Sequence, residues 1–201
     1  MIVFPSRKLV LATPPHTASR HIHQALCGDR YGGQTVWTPS PDGQNYDHHG
    51  CRLASEFQDF KLALVVRHPL DRLTGLWRHW LWWHSQHEPD AVSDLLSFVG
   101  FALAVAQDRD DMLSWLYRYT ITRLLGWSQR IDVLVRFEVL QADLESLLQD
   151  TVTLPPPYPK PHPPWQQLCG DYPVPYAAAC AWAWPDAHRF GYDLKLDPPQ
   201  P

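Results

Sequence analysis

The sequence predicts an α/β fold, a central and mostly parallel sheet flanked by helices in three layers, and three observations carry that expectation. Leu62-Ala63-Leu64-Val65-Val66 is a continuous apolar, β-rich run of the kind found in strands covered on both faces. Two further runs, Lys8–Ala12 and Ile131–Val135, have the same character. The first two are each followed by a proline-marked loop and then by residues at helical spacing, so a strand–loop–helix unit recurs.

Taken in order, Lys8–Ala12 ends at Thr13-Pro14-Pro15, and a helix over Thr17–Leu26 places Ala18, Ile22, Ala25 and Leu26 on one face before Gly28 stops it. Residues 28–50 are rich in Gly, Pro, Asn, Asp and Ser and read as loop, with one strand near Thr35–Thr38. After the Leu62–Val66 strand, Pro69 suits a first helical position and opens a helix through Leu70, Leu73, Leu76, Trp77, Trp80 and Leu81. Helical patterns follow at about 92–106 and 109–125, then the Ile131–Val135 strand and a helix over Glu138–Leu148. Residues 153–175 carry seven prolines between Pro155 and Pro164 and form an extended segment within a single domain, 1–201. A last helix near Tyr176–Trp184 leads to Phe190-Gly191-Tyr192, which is expected to dock the tail. There are no internal repeats.

The chain has 201 residues, suited to one packed domain of roughly 100–200 residues. With 45% hydrophobic against 19% charged residues it has material for a core. A net charge of −4 supplies no general basic field, so nucleic acid is not an expected partner and any anion site must be local. Cys27, Cys51, Cys169 and Cys180 show no CxxC spacing, and reduced structural thiols are expected rather than a metal site or a disulfide framework. Met1-Ile2-Val3-Phe4-Pro5 lacks a signal-peptide pattern, and Leu95–Ala106, broken by Ser97 and Gly100, falls short of the ~20 residues that span a bilayer. A cytoplasmic protein with no membrane partner is the expectation.

The loop Pro14-Pro15-His16-Thr17-Ala18-Ser19-Arg20 stands between a buried strand and a helix, where unpaired amides and the helix dipole favour a phosphate. Thr17 and Ser19 add hydroxyls and Arg20 a charge; an ordinary helix start capped by Thr17 is the structural alternative. The GxxxxGK[ST] pattern of a Walker A loop is absent. Arg67-His68-Pro69-Leu70-Asp71-Arg72 repeats the strand-to-helix setting, with arginine forks suited to phosphate oxygens. Two surface charges beside a proline-started helix would read the same way.

Pro15-His16-Thr17-Ala18-Ser19 resembles the 5'-phosphosulfate loop of the sulfotransferase superfamily, above all the carbohydrate sulfotransferases, whose loop reads P-K-T-A-S or P-K-T-G-T. His16 stands where the family has the lysine that stabilises charge on the bridging oxygen. Arg67 through Gly75 resembles the family's 3'-phosphate motif R-x-P-x-x-R-x-x-S, with Arg67 and Arg72 matching its arginines; Gly75 replaces the serine and Thr74 is its neighbour. Arg136-Phe137-Glu138-Val139-Leu140-Gln141-Ala142-Asp143-Leu144 resembles the family's R-[FY]-E-x-L-x-x-D-[LF] segment, read mainly as architecture, and Phe190-Gly191-Tyr192 resembles its F-G-Y ending.

The resemblance implies a P-loop-like fold and a 3'-phosphoadenosine 5'-phosphosulfate (PAPS) co-substrate, with no metal. Pro15, His16, Thr17, Ala18, Ser19, Arg20, Arg67, Arg72 and Thr74 would hold the nucleotide; Lys160 and His162, by their position in the proline-rich segment alone, would close over it from the far side. The acceptor, a hydroxyl or amine on a glycan or small molecule, needs a general base. His48-His49-Gly50 lies where some carbohydrate sulfotransferases carry H-G-H, so His49 is the first candidate and His48 the second, with Glu56 a weaker one; Cys51 replaces the pattern's second histidine. The alternative is a non-catalytic nucleotide-binding or interaction module on the same fold, which His16 and Gly75 motivate. A P-loop kinase would need a Ser/Thr directly after a loop lysine, which this loop lacks. Trp77, Trp80, Trp82 and Trp83 load one helix with aromatic surface, expected chiefly in the core.

Overall fold

The computed structural model describes residues 1–39, 46–47, 55–87, 97–110, 113–156, 165–169 and 173–194. The chain divides into two compact units, Met1–Arg67 with Arg123–Pro159, and His68–Thr122 with Lys160–Pro201.

The chain opens on strand β1 (Ile2–Phe4), bends through a 3-10 turn at Pro5–Arg7 and returns as β2 (Leu9–Ala12). Pro5 occupies the start of that turn, where a missing N–H is harmless, and Lys8, left-handed at φ 46°, closes it by donating its amide to the Pro5 carbonyl at 3.1 Å. The register pairs Ile2 with Leu11, Val3 with Val10 and Phe4 with Leu9. Helix α1 (Ser19–Leu26) follows, then β3 (Gln34–Thr35), antiparallel on the outer edge of β1. Strands β4 (Thr38–Pro39) and β5 (Tyr46–Asp47) pair only with each other among the described residues. Strand β6 (Lys61–Val66) lies parallel to β2, with Ala12 opposite Leu64.

Among the described residues the helices α2 (Pro69–His87), α3 (Phe98–Ala106), α4 (Trp115–Arg118) and α5 (Ile121–Leu125) come next. Strand β7 (Val133–Arg136) then runs parallel to β6, with Val66 opposite Arg136, and is followed by α6 (Leu140–Leu148), α7 (Trp165–Cys169) and α8 (Pro173–Phe190). The five-stranded sheet has the order β3-β1-β2-β6-β7. It is α/β, but mixed: β2, β6 and β7 are parallel, whereas β1 and β3 are antiparallel additions. The N-terminal hairpin produces that difference, because three residues are too few to show a β period.

In the first unit the odd-numbered strand residues Leu9, Leu11, Ala63, Val65 and Val135 pack with Ile22 and Leu26 of α1 and Leu140, Leu144 and Leu148 of α6. Val10, Ala12, Leu62, Leu64 and Val66, on the opposite face, are also buried, which accounts for the unbroken apolar runs. Gly33 closes the loop after α1. A Cβ there would overlap the Leu26 carbonyl oxygen and stand 2.9 Å from Ile2 Cγ2.

In the second unit, α2, α3 and α8 enclose Leu70, Leu73, Leu76, Trp80, Phe98, Phe101, Val105, Trp182 and Ala183. Trp80 is core, while Trp82 and Trp83 are exposed, so the aromatic load of α2 is divided between interior and surface. Ser97 caps α3, its hydroxyl accepting the Gly100 amide at 3.0 Å. The helical pattern at 109–125 is interrupted between α4 and α5. There the buried Asp186 carboxylate accepts the amides of Ile121 at 2.8 Å and Thr122 at 2.7 Å, starting a fresh helix from α8. Helix α8 also continues past Trp184, through Pro185, because Ala187 and Phe190 beyond the proline are buried in their turn. The tail docks as expected: the Tyr192 ring meets His68 edge-on, His68 Nε2 lies 3.0 Å from the Asp193 carbonyl, and the Tyr176 hydroxyl donates to the Leu194 carbonyl.

Candidate functional site

The carboxyl ends of the parallel strands gather the chemistry-bearing residues of the first unit. Ligands of open α/β sheets characteristically bind at such an edge. Past β2 the chain makes a turn with Pro15 at its second position and His16, at φ 63°, at its third, the type II pattern. Thr17 closes it: its amide reaches the Pro14 carbonyl at 3.3 Å and its hydroxyl donates to the same oxygen at 2.7 Å. Ala18 then stands before α1 in the left-handed region as well, at φ 64° and ψ 21°.

His16 and Ala18 therefore flank Thr17, which keeps a negative φ, an alternation of hand that in other proteins can turn successive amides toward an anion, although here the Thr17 amide is already engaged by the Pro14 carbonyl. No side chain caps α1, and its first turn carries no acidic residue, so nothing of the helix's own neutralises its positive end. Pro15, Thr17 and Ser19 are buried, His16 and Ala18 half-buried, and Arg20 exposed.

The register of β6 and β7 brings in the second element. Arg67 and Phe137 are the residues just past the Val66–Arg136 pair, and the Arg67 guanidinium lies 4.4 Å from the centre of the Phe137 ring. Because β6 extends two residues beyond the pair Ala12–Leu64, Arg67 overhangs the loop, and its Nη1 reaches the His16 carbonyl in a long contact of 3.5 Å. The sequence placed Phe137 only within the architectural Arg136–Leu144 segment; the signal for its role beside Arg67 was an aromatic residue directly after a strand paired with that of Arg67. Its neighbours are architectural, since the Arg136 amide donates to Asp143 Oδ2 at 2.7 Å.

Two expected nucleotide ligands are placed elsewhere. Arg72 is fully buried in the second unit, both terminal nitrogens donate to the Tyr119 carbonyl at 3.1 Å, and its guanidinium faces the Trp182 ring and Asp186. Thr74 is buried too, its hydroxyl donating to the Leu70 carbonyl at 3.1 Å within α2. These positions correct the sequence expectation for both: Thr74 bonds back to the carbonyl four residues earlier in its own helix, and Arg72 is held by a carbonyl from the distant Tyr119 segment. Thr17 differs from expectation in detail, because its hydroxyl proton is engaged inside the loop. His48, His49, Cys51, Lys160 and His162 lie outside the described residues. Glu56 is exposed in a 3-10 turn, Ser55–Phe57.

A cavity of about 460 Å³ at the opposite ends of the strands, lined by Arg7, Leu9, Lys61, Val133 and Asp143 among others, collects none of the residues expected to bind nucleotide. Among the described residues no helix is long and apolar enough to cross a membrane. Comparison of the chain with protein-family models, curated proteins and solved structures found no match. Fold and site together define an α/β protein with a strand–loop–helix turn at the carboxyl edge of its parallel strands and an arginine against that turn.

Proposed function

We propose that the chain is a sulfotransferase, which binds a PAPS-type nucleotide at this edge and moves its sulfuryl group to a hydroxyl or amine of a glycan or small molecule. The observation that carries the reading is the loop itself: two left-handed non-glycine residues around Thr17, at the start of an uncapped helix, with Arg67 against the His16 carbonyl. The order of the sequence motifs supports the same nucleotide. In the reaction the acceptor oxygen or nitrogen attacks sulfur in line, and the bond from sulfur to the bridging oxygen breaks. The bridging oxygen leaves with the electron pair, and the acceptor's proton passes to a base, for which His49 and then His48 are the candidates. His16 and the loop amides would stabilise the leaving oxygen, and Arg67 the 3'-phosphate. Arg72 and Thr74 take no part.

A second reading, a nucleotide-binding module without turnover, is favoured by the inward placement of Arg72 and Thr74 together with His16 at the lysine position.

Calorimetric titration with adenosine 3',5'-bisphosphate, beside AMP and ATP, tests the nucleotide. Selective binding is expected, and Arg67→Ala should weaken it at least about tenfold, since a charge-assisted contact is worth roughly 1.5–3 kcal/mol. No preference over AMP would remove the sulfotransferase reading and leave the non-catalytic module. Turnover of PAPS against an acceptor panel separates them, and His16→Lys sharpens that comparison. A site adapted to histidine loses activity in the variant, whereas a degenerate one gains it.

A further inference from the structure

At the carboxyl end of α1 a thiol, an imidazole and two hydroxyls form a connected set. Thr13 Oγ1 lies 3.1 Å from His23 Nε2, and His23 Nδ1 lies 3.1 Å from Thr35 Oγ1 and 3.9 Å from Cys27 Sγ. Cys27 Sγ and Thr35 Oγ1 are themselves 3.2 Å apart. Residues 23 and 27 share a helix face, and the Cys27 amide donates to the His23 carbonyl at 3.0 Å, which fixes their spacing. Thr13 is fully buried whereas Cys27 is half-buried, so the ring is held from the interior and the sulfur stands toward solvent.

With its proton on Nε2, donated to Thr13, the imidazole presents Nδ1 as an acceptor to the thiol, the relation of base to nucleophile. An imidazole nitrogen beside a thiol can take its proton as the sulfur attacks, since the thiolate is the nucleophilic form of cysteine. Thr13 is also the residue immediately before Pro14, where the loop begins.

We propose that Cys27 is a reactive thiol, activated by His23, that takes small disulfides as its substrates and transmits its modification through His23 to Thr13 at the root of the loop. The Cys27 proton passes to His23 Nδ1 and Sγ attacks one sulfur of a disulfide RSSR. The S–S bond breaks, and the departing RS⁻ leaves with the electron pair and takes up the proton. Cys27 ends in a mixed disulfide and is oxidised, while the second R group is released as the thiol RSH, reduced. The added group displaces the sulfur from Thr35 and His23.

The test treats the full chain with 5,5'-dithiobis(2-nitrobenzoate), following thiol release by absorbance and locating adducts by peptide mass spectrometry. Cys180, whose thiol burial pushes up, is the comparator within the same molecule. Cys27 should react at least about tenfold faster than Cys180, and His23→Gln should slow Cys27 about tenfold with the Cys180 rate unchanged. A Cys27 rate at or below that of Cys180 in the wild type overturns the proposal without recourse to any variant, as does an unchanged Cys27 rate in a folded His23→Gln. Amide exchange in the peptide covering residues 14–19 should quicken in the modified wild type and not in Cys27→Ser treated alike. Equal exchange in the two overturns the transmission to the loop.

Discussion

Ala18 is where the backbone of the loop departs furthest from what its side chain prefers. A left-handed alanine costs roughly 1–2 kcal/mol relative to glycine, partly offset by the unfolded-state entropy that glycine adds. Ala18→Gly should therefore change the unfolding free energy by less than about 1 kcal/mol, while Ala18→Val, whose branched side chain is an outlier at positive φ, should cost about 1–3 kcal/mol in a denaturant titration. Neither angle was legible in the sequence: alanine seldom takes the left-handed region and histidine is not diagnostic of it, and closure of the turn by Thr17 on Pro14 sets the His16 angle. Tyr117 carries a second residue-level expectation. Its hydroxyl lies 3.1 Å from His79 Nδ1, and burial pushes its pKa from 10.0 up to about 12. Between those values the unfolded chain releases the phenolic proton and the folded one keeps it, so stability falls as pH rises. The loss should reach at most about 2–3 kcal/mol by pH 12 and be missing from Tyr117→Phe, as pH-resolved denaturation of the two proteins would show.

At the level of elements, the break between α4 and α5 shows tertiary contacts overriding a local pattern. Residues 109–125 read as one helix, yet Arg72 takes the Tyr119 carbonyl and Asp186 takes the Ile121 and Thr122 amides, so each end of the break is held by a buried charge from another helix. Burial pushes the Asp186 carboxyl up, against the pull of Arg72 and of those two amides. Asp186→Ala would leave Arg72 buried without its counter-charge and two amides without acceptors. A loss of about 3–5 kcal/mol in chemical denaturation is expected. The turn after α1 is equally exacting: Gly33→Ala must move the Leu26 carbonyl or the Ile2 and Phe4 side chains, and should lower stability by about 2 kcal/mol or more. The helix start at Pro69 and the strand at 62–66 were legible because each rests on its own residues, proline geometry in one case and an unbroken apolar run in the other.

At the level of the whole molecule, neither compact unit is a continuous stretch of chain. The first unit takes β1, β2, β3 and β6 from before residue 68 and β7 and α6 from after residue 122. A fragment of residues 1–122 would expose the β6 edge that pairs with β7 and uncover the face of Leu11, Ala63 and Val65 that α6 closes. Such a fragment should show no cooperative thermal transition by circular dichroism, whereas the full chain should show one.

The sequence by itself determined the parallel trio of strands, the loop between the first of them and its helix, and Arg67 at a strand end, because apolar runs, prolines and chain order act over a few residues. Only the tertiary structure decided that Arg72 and Thr74 face inward, that Phe137 underlies Arg67, and that Ile2–Phe4 completes the sheet as an antiparallel hairpin. Those outcomes depend on which distant segment supplies a carbonyl, a ring or a strand edge, and the side chains concerned look the same in the sequence whichever way they turn.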